Sequence, residues 1–257
     1  MDAQGDQLKV GFETPWPGMG VGGSLALDFV NTLDWRLRAR PVELLAGFPD
    51  LLRWGRSAGA LGRAEAARLR VWGESHPRAA ACALAEAIEL REAIAAVFQA
   101  TLGGGTPPPG PLARLAAACR TAWRARTLRA GRGPATWAWR EGVLEPHRAA
   151  WAAALDAARL LTSAECRRVR QCGDAECGWL FLDTSRNRSR RWCSMQSCGN
   201  RNKVRRFYRR SAAKRARGQA RTSATPAPPA SGRAGTRARS RPRAPAAPGG
   251  RRGSPPG

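Results

Sequence analysis

The spacing of hydrophobic residues predicts a chain that is helical over most of its first two thirds. Leu25, Phe29 and Leu33 recur every four residues behind Ser24, a residue type that favours the position just before a helix. Similar apolar patterns, interrupted by Gly and Pro, predict further helices. They cover a turn and short helix over 41–52 and helices over 62–72, 77–102, 112–123 and 144–161.

Shorter segments complete the predicted organisation. Residues 127–128 and 136–139 flank a Gly-Arg-Gly-Pro sequence and predict a small β-hairpin. The first residues are rich in Gly and Pro, whereas the last forty lack aromatic residues and predict a disordered tail. We therefore predict a mainly α fold in four parts: an irregular lead-in over 1–22, a helical domain over 23–163, a small cysteine module over 164–217 and a basic tail over 218–257.

The charge of the chain is concentrated at one end. The 257 residues contain 44 Lys and Arg against 19 Asp and Glu, which gives a formal net charge of +25. After Asp183 there are 21 basic residues and no acidic one. A segment that repels itself this strongly predicts a polyanionic partner, for which nucleic acid is the usual choice and an anionic membrane surface the alternative.

Several classes of protein are disfavoured. Residues 1–6 carry neither a basic nor an apolar segment, so we expect no secretory signal, and no apolar stretch approaches the roughly 20 residues of a membrane span. Seven cysteines without an export signal favour a reducing cytoplasm over a disulfide framework. Because the chain has only two His and one Tyr and none of the common catalytic motifs, we expect it not to be an enzyme.

Four cysteines form two pairs with equal internal spacing. Four residues separate Cys172 from Cys177 and also Cys193 from Cys198, and fifteen residues lie between the pairs. Four thiolates brought together in this way suit a closed tetrahedral site, so we predict one structural Zn²⁺. The alternative is a set of buried cysteines that are paired by chance.

A hairpin between the two pairs would bring them together. Residues 169–171 and 180–182 are good strand material, and residues 184–187 supply turn residues. Cys166 is a further candidate ligand, although its spacing favours a core thiol at the start of a strand. We expect core thiols at the two cysteines of the helical patterns, Cys82 and Cys119.

The cysteine module resembles the CGNR zinc finger, which takes its name from residues 198–201. The resemblance rests on Cys177-Gly-Trp-Leu-Phe-Leu-Asp-Thr-Ser185, on Arg190-Arg-Trp-Cys-Ser-Met195 and on Cys198-Gly-Asn-Arg-Asn-Lys203. Residues 25–32, Leu-Ala-Leu-Asp-Phe-Val-Asn-Thr, resemble the start of the helical ABATE domain that accompanies this finger. The two resemblances cover about residues 22–212. They imply a treble-clef-like finger, a zinc ion held by Cys172, Cys177, Cys193 and Cys198, and a bacterial transcriptional regulator with a suggested link to stress responses.

The residues after Cys198 predict a basic helix over 199–217 that binds nucleic acid. Its cations form two i, i+4 rows, one of Arg201, Arg205 and Arg209 and one of Arg206 and Arg210. Such rows cost stability unless an anion neutralises them. The helix N-terminus could also meet a phosphate or a base edge. The predicted contacts are Arg190, Arg191, Asn200, Arg201, Lys203, Arg205, Arg206, Arg209 and Arg210. The alternative is a solvated basic face.

We expect the apolar residues of this helix, Val204, Phe207 and Tyr208, to pack against the finger. The resulting prediction is a zinc-dependent DNA-binding regulator of the cytoplasm, associated with the nucleoid, in which the tail adds affinity that does not depend on sequence. RNA remains open as a partner, because the same cations would attract it.

A second hypothesis centres on the helical domain. Asp28, Asn31 and Thr32 are polar residues on or beside an apolar helix face. They either cap or cross-brace neighbouring helices, which is the usual role of buried polar groups, or line a pocket for a small-molecule effector. In the latter case the chain would be a metabolite sensor or an interaction module.

Overall fold

The computed structural model describes residues 16–102, 104–131 and 133–222, and for residues 217–222 it describes the backbone only. The chain divides into two compact units, residues 1–209 and 210–257. Residues 1–15 of the predicted lead-in and 223–257 of the predicted tail lie outside the described ranges. Residues 218–222, which we expected to be disordered, continue a helix.

The fold is mainly α, as predicted, with seven α-helices in the described ranges. Among these described residues, no helix is both long and apolar enough to cross a bilayer. The helices are α1 Leu25–Val30, α2 Phe48–Ser57, α3 Arg63–Ser75, α4 Pro77–Leu102, α5 Pro109–Arg124, α6 Arg148–Leu161 and α7 Asn200–Thr222.

Several helix boundaries differ from the predicted ones. α1 ends at Val30, so that Leu33 lies in a strand, and α3 continues to Ser75. α2 begins at Phe48, because residues 42–43 form a strand and Gly47 precedes the first turn. α5 begins at Pro109, since proline is tolerated in the first turn of a helix. α6 begins at Arg148 and not at Leu144, in keeping with Pro146, which disfavours helical backbone at the residue before it.

The core of the helical domain forms around α1. The ring of Phe29 lies 4.7 Å from that of Trp54 in α2, and both side chains are fully buried. α6 packs against α1, α2, α4 and α5 and carries a stripe of buried alanines that includes Ala149, Ala153 and Ala157. Small side chains at intervals of four let helices approach closely, which explains why these Ala-rich segments form the interior.

A buried arginine braces this core. Arg91 of α4 is 2% exposed, and its two terminal nitrogens donate to both carboxylate oxygens of Glu43 at 2.7 Å. Its Nη1 also donates to the Thr32 hydroxyl and its Nε to Glu92. The bidentate pair compensates the cost of burying the guanidinium and ties α4 to the segment after α1.

The strands form three antiparallel pairs. β1 Leu33–Asp34 pairs with β2 Val42–Glu43, and β3 Arg126–Arg129 pairs with β4 Thr136–Trp139. The second pair is the hairpin predicted from the sequence. In the third pair β5, Val169–Gln171, lies beside β6, Leu180–Leu182.

The third pair joins the cysteine module to the helical domain. Val169, Leu180 and Leu182 are buried in the same hydrophobic core as α1, α4 and α6. The amide of Leu182 donates to the Gly22 carbonyl at 2.8 Å. The module therefore shares a core with the helical domain.

Candidate metal centre and nucleic-acid interface

The four paired cysteines meet at one point. Cys172 follows β5 directly and Cys177 precedes β6. Cys193 precedes the π-helical turn Met195–Gly199, and Cys198 lies within that turn, which leads into α7. The four sulfurs lie within 4.8 Å of one another, and each residue is at most 4% exposed. The two pairs are thus brought together, as their spacing predicts.

The sulfur positions fit one tetrahedral ion. The Sγ atoms of Cys177 and Cys193 are 3.7 Å apart, and those of Cys193 and Cys198 are 3.5 Å apart. Four sulfurs at about 2.3 Å from a central zinc would be about 3.8 Å from one another. Four thiolates leave no open coordination position, so a zinc ion held here has a structural role.

The thiols of the cluster differ in acidity. Hydrogen bonds from Cys177 and Cys193 lower the pKa of Cys172. Hydrogen bonding to Cys172 raises the pKa of Cys177 and of Cys193, and burial raises the pKa of Cys198. One thiolate is therefore stabilised while its neighbours resist a second charge, and a divalent cation would allow several sulfurs to be deprotonated together.

The hairpin that organises these cysteines is not where we expected it. We predicted a hairpin between the two pairs, with its turn at 184–187. Instead, β5 and β6 flank the first pair, so that residues 172–179 form the connection between the strands. Residues 184–187 do turn the chain, through hydrogen bonds from Ser185 to the buried carboxylate of Asp183, but they lead towards Cys193 without a paired strand.

The loop over residues 35–38 of the helical domain forms hydrogen bonds with the first cysteine pair and its neighbour Glu176. The amides of Arg36 and Leu37 donate to the carbonyls of Cys177 and Glu176 at 3.0 and 3.3 Å. Gly178 lies against this loop at φ +72°, where a Cβ would stand 2.9 Å from the Cβ of Arg36. Only glycine fits there without strain, because the backbone is left-handed and the approach is close.

Asp174 holds the start of α7. Its carboxylate is fully buried and accepts from Asn202 Nδ2 at 2.7 Å and from Arg201 Nη1 at 3.3 Å. Arg205 Nη1 lies 3.7 Å from the same carboxylate, and its Nη2 lies 3.2 Å from Glu176. Two cations of the predicted row Arg201, Arg205 and Arg209 are therefore neutralised by acids of the finger.

Arg201 also connects α7 to the helical domain. Its guanidinium lies 4.1 Å from the ring centroid of Trp35, a residue with φ +52° in the loop over residues 35–38. Its Nη1 lies 3.6 Å from the sulfur of Cys198. The arginine that ends the Cys-Gly-Asn-Arg motif thus contacts a metal-ligand sulfur, a buried acid and an aromatic ring.

The other predicted nucleic-acid contacts on α7 point outward. Asn200 is exposed and donates to the Gln196 carbonyl at 3.2 Å. Lys203, Arg206 and Arg209 are exposed and form no ion pair with any residue in the described ranges. Arg210 is exposed in the second unit.

The two arginines before Cys193 differ from each other. Arg190 Nη2 donates to the carbonyls of Val21 and Cys193, and its Nε donates to the Trp192 carbonyl. Its guanidinium carbon lies 4.4 Å from the Phe181 ring centroid. Arg191 is exposed and lies over the ring of Trp192. Arg190 is therefore part of the framework of the finger.

The apolar residues of α7 do not pack against the finger, contrary to our expectation. Val204, Phe207 and Tyr208 are 52%, 65% and 66% exposed. The side of α7 that faces the finger is occupied by the polar residues around Asp174 instead. The i, i+3, i+4 spacing identified a common face but not the direction in which it points.

The three polar residues proposed for a ligand pocket act as braces. Asp28 accepts from the amides of Gly20 and Gly22 at 2.9 and 2.8 Å, and burial raises its pKa despite these bonds. Asn31 Nδ2 donates to the Leu180 carbonyl at 2.8 Å, and Asn31 Oδ1 accepts from the Leu180 backbone N–H at 2.9 Å. Thr32 donates to the Phe29 carbonyl and accepts from Arg91. These contacts favour the cross-bracing alternative.

Replacing Asn31 by alanine is expected to lower the free energy of unfolding by about 2 kcal/mol, since it leaves two buried backbone groups of Leu180 without partners. Urea denaturation followed by circular dichroism measures the change. Asn187→Ala, at an exposed position, is the matched control and should have little effect. Equal stability of the two variants would contradict this role of Asn31.

The remaining cysteines lie outside the cluster. Cys166 is half-buried in a short turn before β5. Cys119 is half-buried and its thiol donates to the Ala154 carbonyl, but Cys82 is exposed and is not the core thiol that we expected. Sequence reasoning also missed Asp174 and the loop at 35–38. An acid two residues after the first cysteine, in a strongly basic region, was the available signal for Asp174.

Comparison with known families agrees with this architecture. Residues 168–211 match the CGNR zinc finger family. Residues 23–164, more than half of the chain, match the ABATE family, described as "Putative stress-induced transcription regulator". No curated protein matches the chain. Both resemblances inferred from the sequence are confirmed, and the chain belongs to the ABATE family and carries a C-terminal CGNR zinc finger whose four cysteines form the site of one structural zinc ion.

Proposed function

We propose that the protein is a zinc-dependent transcriptional regulator that binds DNA through the outward face of α7. The observation that carries this proposal is the contrast between two sets of cations on one helix. Arg201 and Arg205 are neutralised by internal acids, whereas Lys203, Arg206 and Arg209 are exposed without an ion pair among the described residues. The second set is available to phosphates.

The unpaired cations are spaced to act together. Lys203, Arg206 and Arg209 follow one another at i, i+3 intervals and form a continuous ridge along α7. The zinc site and Asp174 fix the first turns of this helix, so the ridge is presented with little loss of backbone freedom on binding. Arg191 and Asn200 are exposed beside it, and Arg210 is a further candidate in the second unit.

The family descriptions support a regulatory role and not a catalytic one, because both matches are of the regulator and zinc-finger types. As such a regulator, the protein would act in the cytoplasm, bound to the nucleoid. The tail after residue 217 would add affinity that is independent of sequence, since it contributes further cations.

The double variant Lys203→Gln, Arg206→Gln is expected to weaken binding to duplex DNA roughly tenfold, because two phosphate contacts are lost. If the full chain neutralises about six phosphates, log K falls with log[salt] at a slope of about −5, and the double variant should reduce that slope by about two. Fluorescence anisotropy with a labelled duplex at several salt concentrations measures both quantities.

Arg78→Gln, Arg120→Gln is the matched control, since it removes the same charge from exposed positions on α4 and α5. An equal loss in the control would show that only net charge matters and would refute the α7 interface. Absence of binding at low salt, or tighter binding of single-stranded RNA than of duplex DNA, would refute DNA as the partner.

A further inference from the structure

A cavity in the helical domain lies between α5, β4 and α6. Its volume is about 210 Å³. This is below the roughly 300–1,000 Å³ of pockets for drug-sized ligands, so the cavity suits a molecule of one or two rings. The indoles of Trp139 and Trp151 line it together with Val143 and Ala125. Much of its wall is therefore apolar and aromatic.

The charged side chains of the wall are mainly positive. Arg124, Arg140 and Arg148 line the cavity, against Glu145 as the carboxylate among the described lining residues. Arg124 and Arg140 are exposed and have no ion pair within the described part of the chain. This excess of positive charge favours an anionic ligand.

Arg148 is the most buried of these cations. Its Nη1 is paired with Glu65, which is itself 8% exposed, but its buried Nε has no acceptor among the described residues. Burial lowers its pKa, and the nearby charges of Arg126 and Arg68 lower it further, against the opposite effect of Glu65. A buried donor thus lacks a partner in a region where positive charge exceeds what Glu65 balances.

Trp139 is held in place by cations. Its ring centroid lies 5.1 Å from the guanidinium carbon of Arg148 and 5.4 Å from that of Arg126. Such cation–π contacts restrict the movement of the indole. A fixed aromatic wall loses little side-chain entropy when a ligand ring packs against it.

We propose that this cavity binds a small planar aromatic carboxylate, whose ring packs against Trp139 and Trp151 and whose carboxylate accepts hydrogen bonds from Arg148. The aromatic wall selects the ring, and the charge-assisted hydrogen bond selects the anion over a neutral analogue. This ligand site is independent of the α7 interface and differs from the Asp28, Asn31 and Thr32 group, whose polar atoms bond the protein backbone.

The test is isothermal titration calorimetry of the zinc-loaded full chain with benzoate and with 1-naphthoate, together with the melting temperature in their presence. At least one carboxylate is expected to bind at one per chain and to raise the melting temperature. The neutral analogues, benzamide and 1-naphthamide, should bind about tenfold more weakly, since they lack the charge that Arg148 meets. Equal affinity of the amides, or saturable binding by neither carboxylate, would overturn the proposal.

Two variants on one strand locate the binding. Trp139→Leu removes an aromatic wall and is expected to weaken binding about tenfold. Trp137→Leu, at a position 47% exposed outside the cavity, is the matched control and should leave the affinity unchanged. Arg148→Lys retains a positive charge next to Glu65 but lacks the planar guanidinium that meets the carboxylate, so it should also weaken the binding of the carboxylate and not that of the amide. Equal losses in the two tryptophan variants would place the binding elsewhere and refute the site.

Discussion

Replacing Cys177 by serine is expected to abolish stoichiometric zinc and to destabilise both the finger and the helical domain beneath it. The sulfur of Cys177 is buried within 4.8 Å of the other three, so its loss leaves a site with three thiolates and a poor fourth donor. Structural zinc binding supplies about 10–16 kcal/mol in isolated finger peptides, as much as the total stability of a typical domain. The finger cannot compensate for that loss with a core of its own.

The effect should reach the helical domain because the two share a core. Val169, Leu180 and Leu182 lie on the strands that flank the first cysteine pair and pack with α1, α4 and α6. When the finger opens, these side chains and the backbone of Leu180 lose their buried positions. We therefore expect one unfolding transition at a lower denaturant concentration, and not a separate loss of the finger alone.

Elemental analysis of the purified chain and urea denaturation measure these two outcomes. The matched control is Cys166→Ser, since Cys166 lies six residues before Cys172 and outside the cluster. It should retain one zinc per chain and near-normal stability. Full zinc content in Cys177→Ser, or equal loss of zinc in Cys166→Ser, would contradict the assignment of the four ligands.

The zinc ligands could be predicted from the sequence because the chemistry of a metal site fixes both residue type and spacing. Two thiolates on one short loop reach one ion wherever the strands run. The position of the hairpin was not fixed in this way. Residues 169–171 and 180–182 were recognised as strands, but their pairing with each other depends on contacts with Gly22 and Asn31, which are about 150 residues away in sequence.

The orientation of α7 could not be predicted for a similar reason. Helical spacing groups Val204, Phe207 and Tyr208 on one face, and an apolar helix face usually packs against the interior. In the structure the finger offers a buried carboxylate at Asp174, so the polar face of α7 turns inward. An unpaired buried charge costs more than an exposed aromatic face, and this difference decides the orientation.

Replacing Asp174 by asparagine is expected to destabilise the protein. Asp174→Asn preserves the shape of the side chain but removes the charge that meets Arg201, Asn202 and Arg205. Breaking a fully buried ion pair costs about 3–5 kcal/mol. Because Arg201 and Arg205 are about one third exposed, we expect a loss of about 3 kcal/mol in the free energy of unfolding. Zinc should be retained, since Asp174 is not among the four ligands.

Asp174→Asn also distinguishes the role of Asp174 in positioning α7 from its effect on the charge that DNA meets. Freed from Asp174, Arg201 becomes available to phosphates, whereas Arg205 keeps Glu176 as its partner. The salt slope for a duplex of mixed sequence should therefore become steeper by about one. Amide hydrogen exchange at the start of α7 should accelerate, because the helix loses the acid that holds its first turns. Glu74→Gln makes the same change of charge at an exposed position of α3 and should alter neither quantity. If the two variants behave alike, Asp174 does not hold α7, and the hypothesis that α7 presents its basic ridge rigidly is refuted.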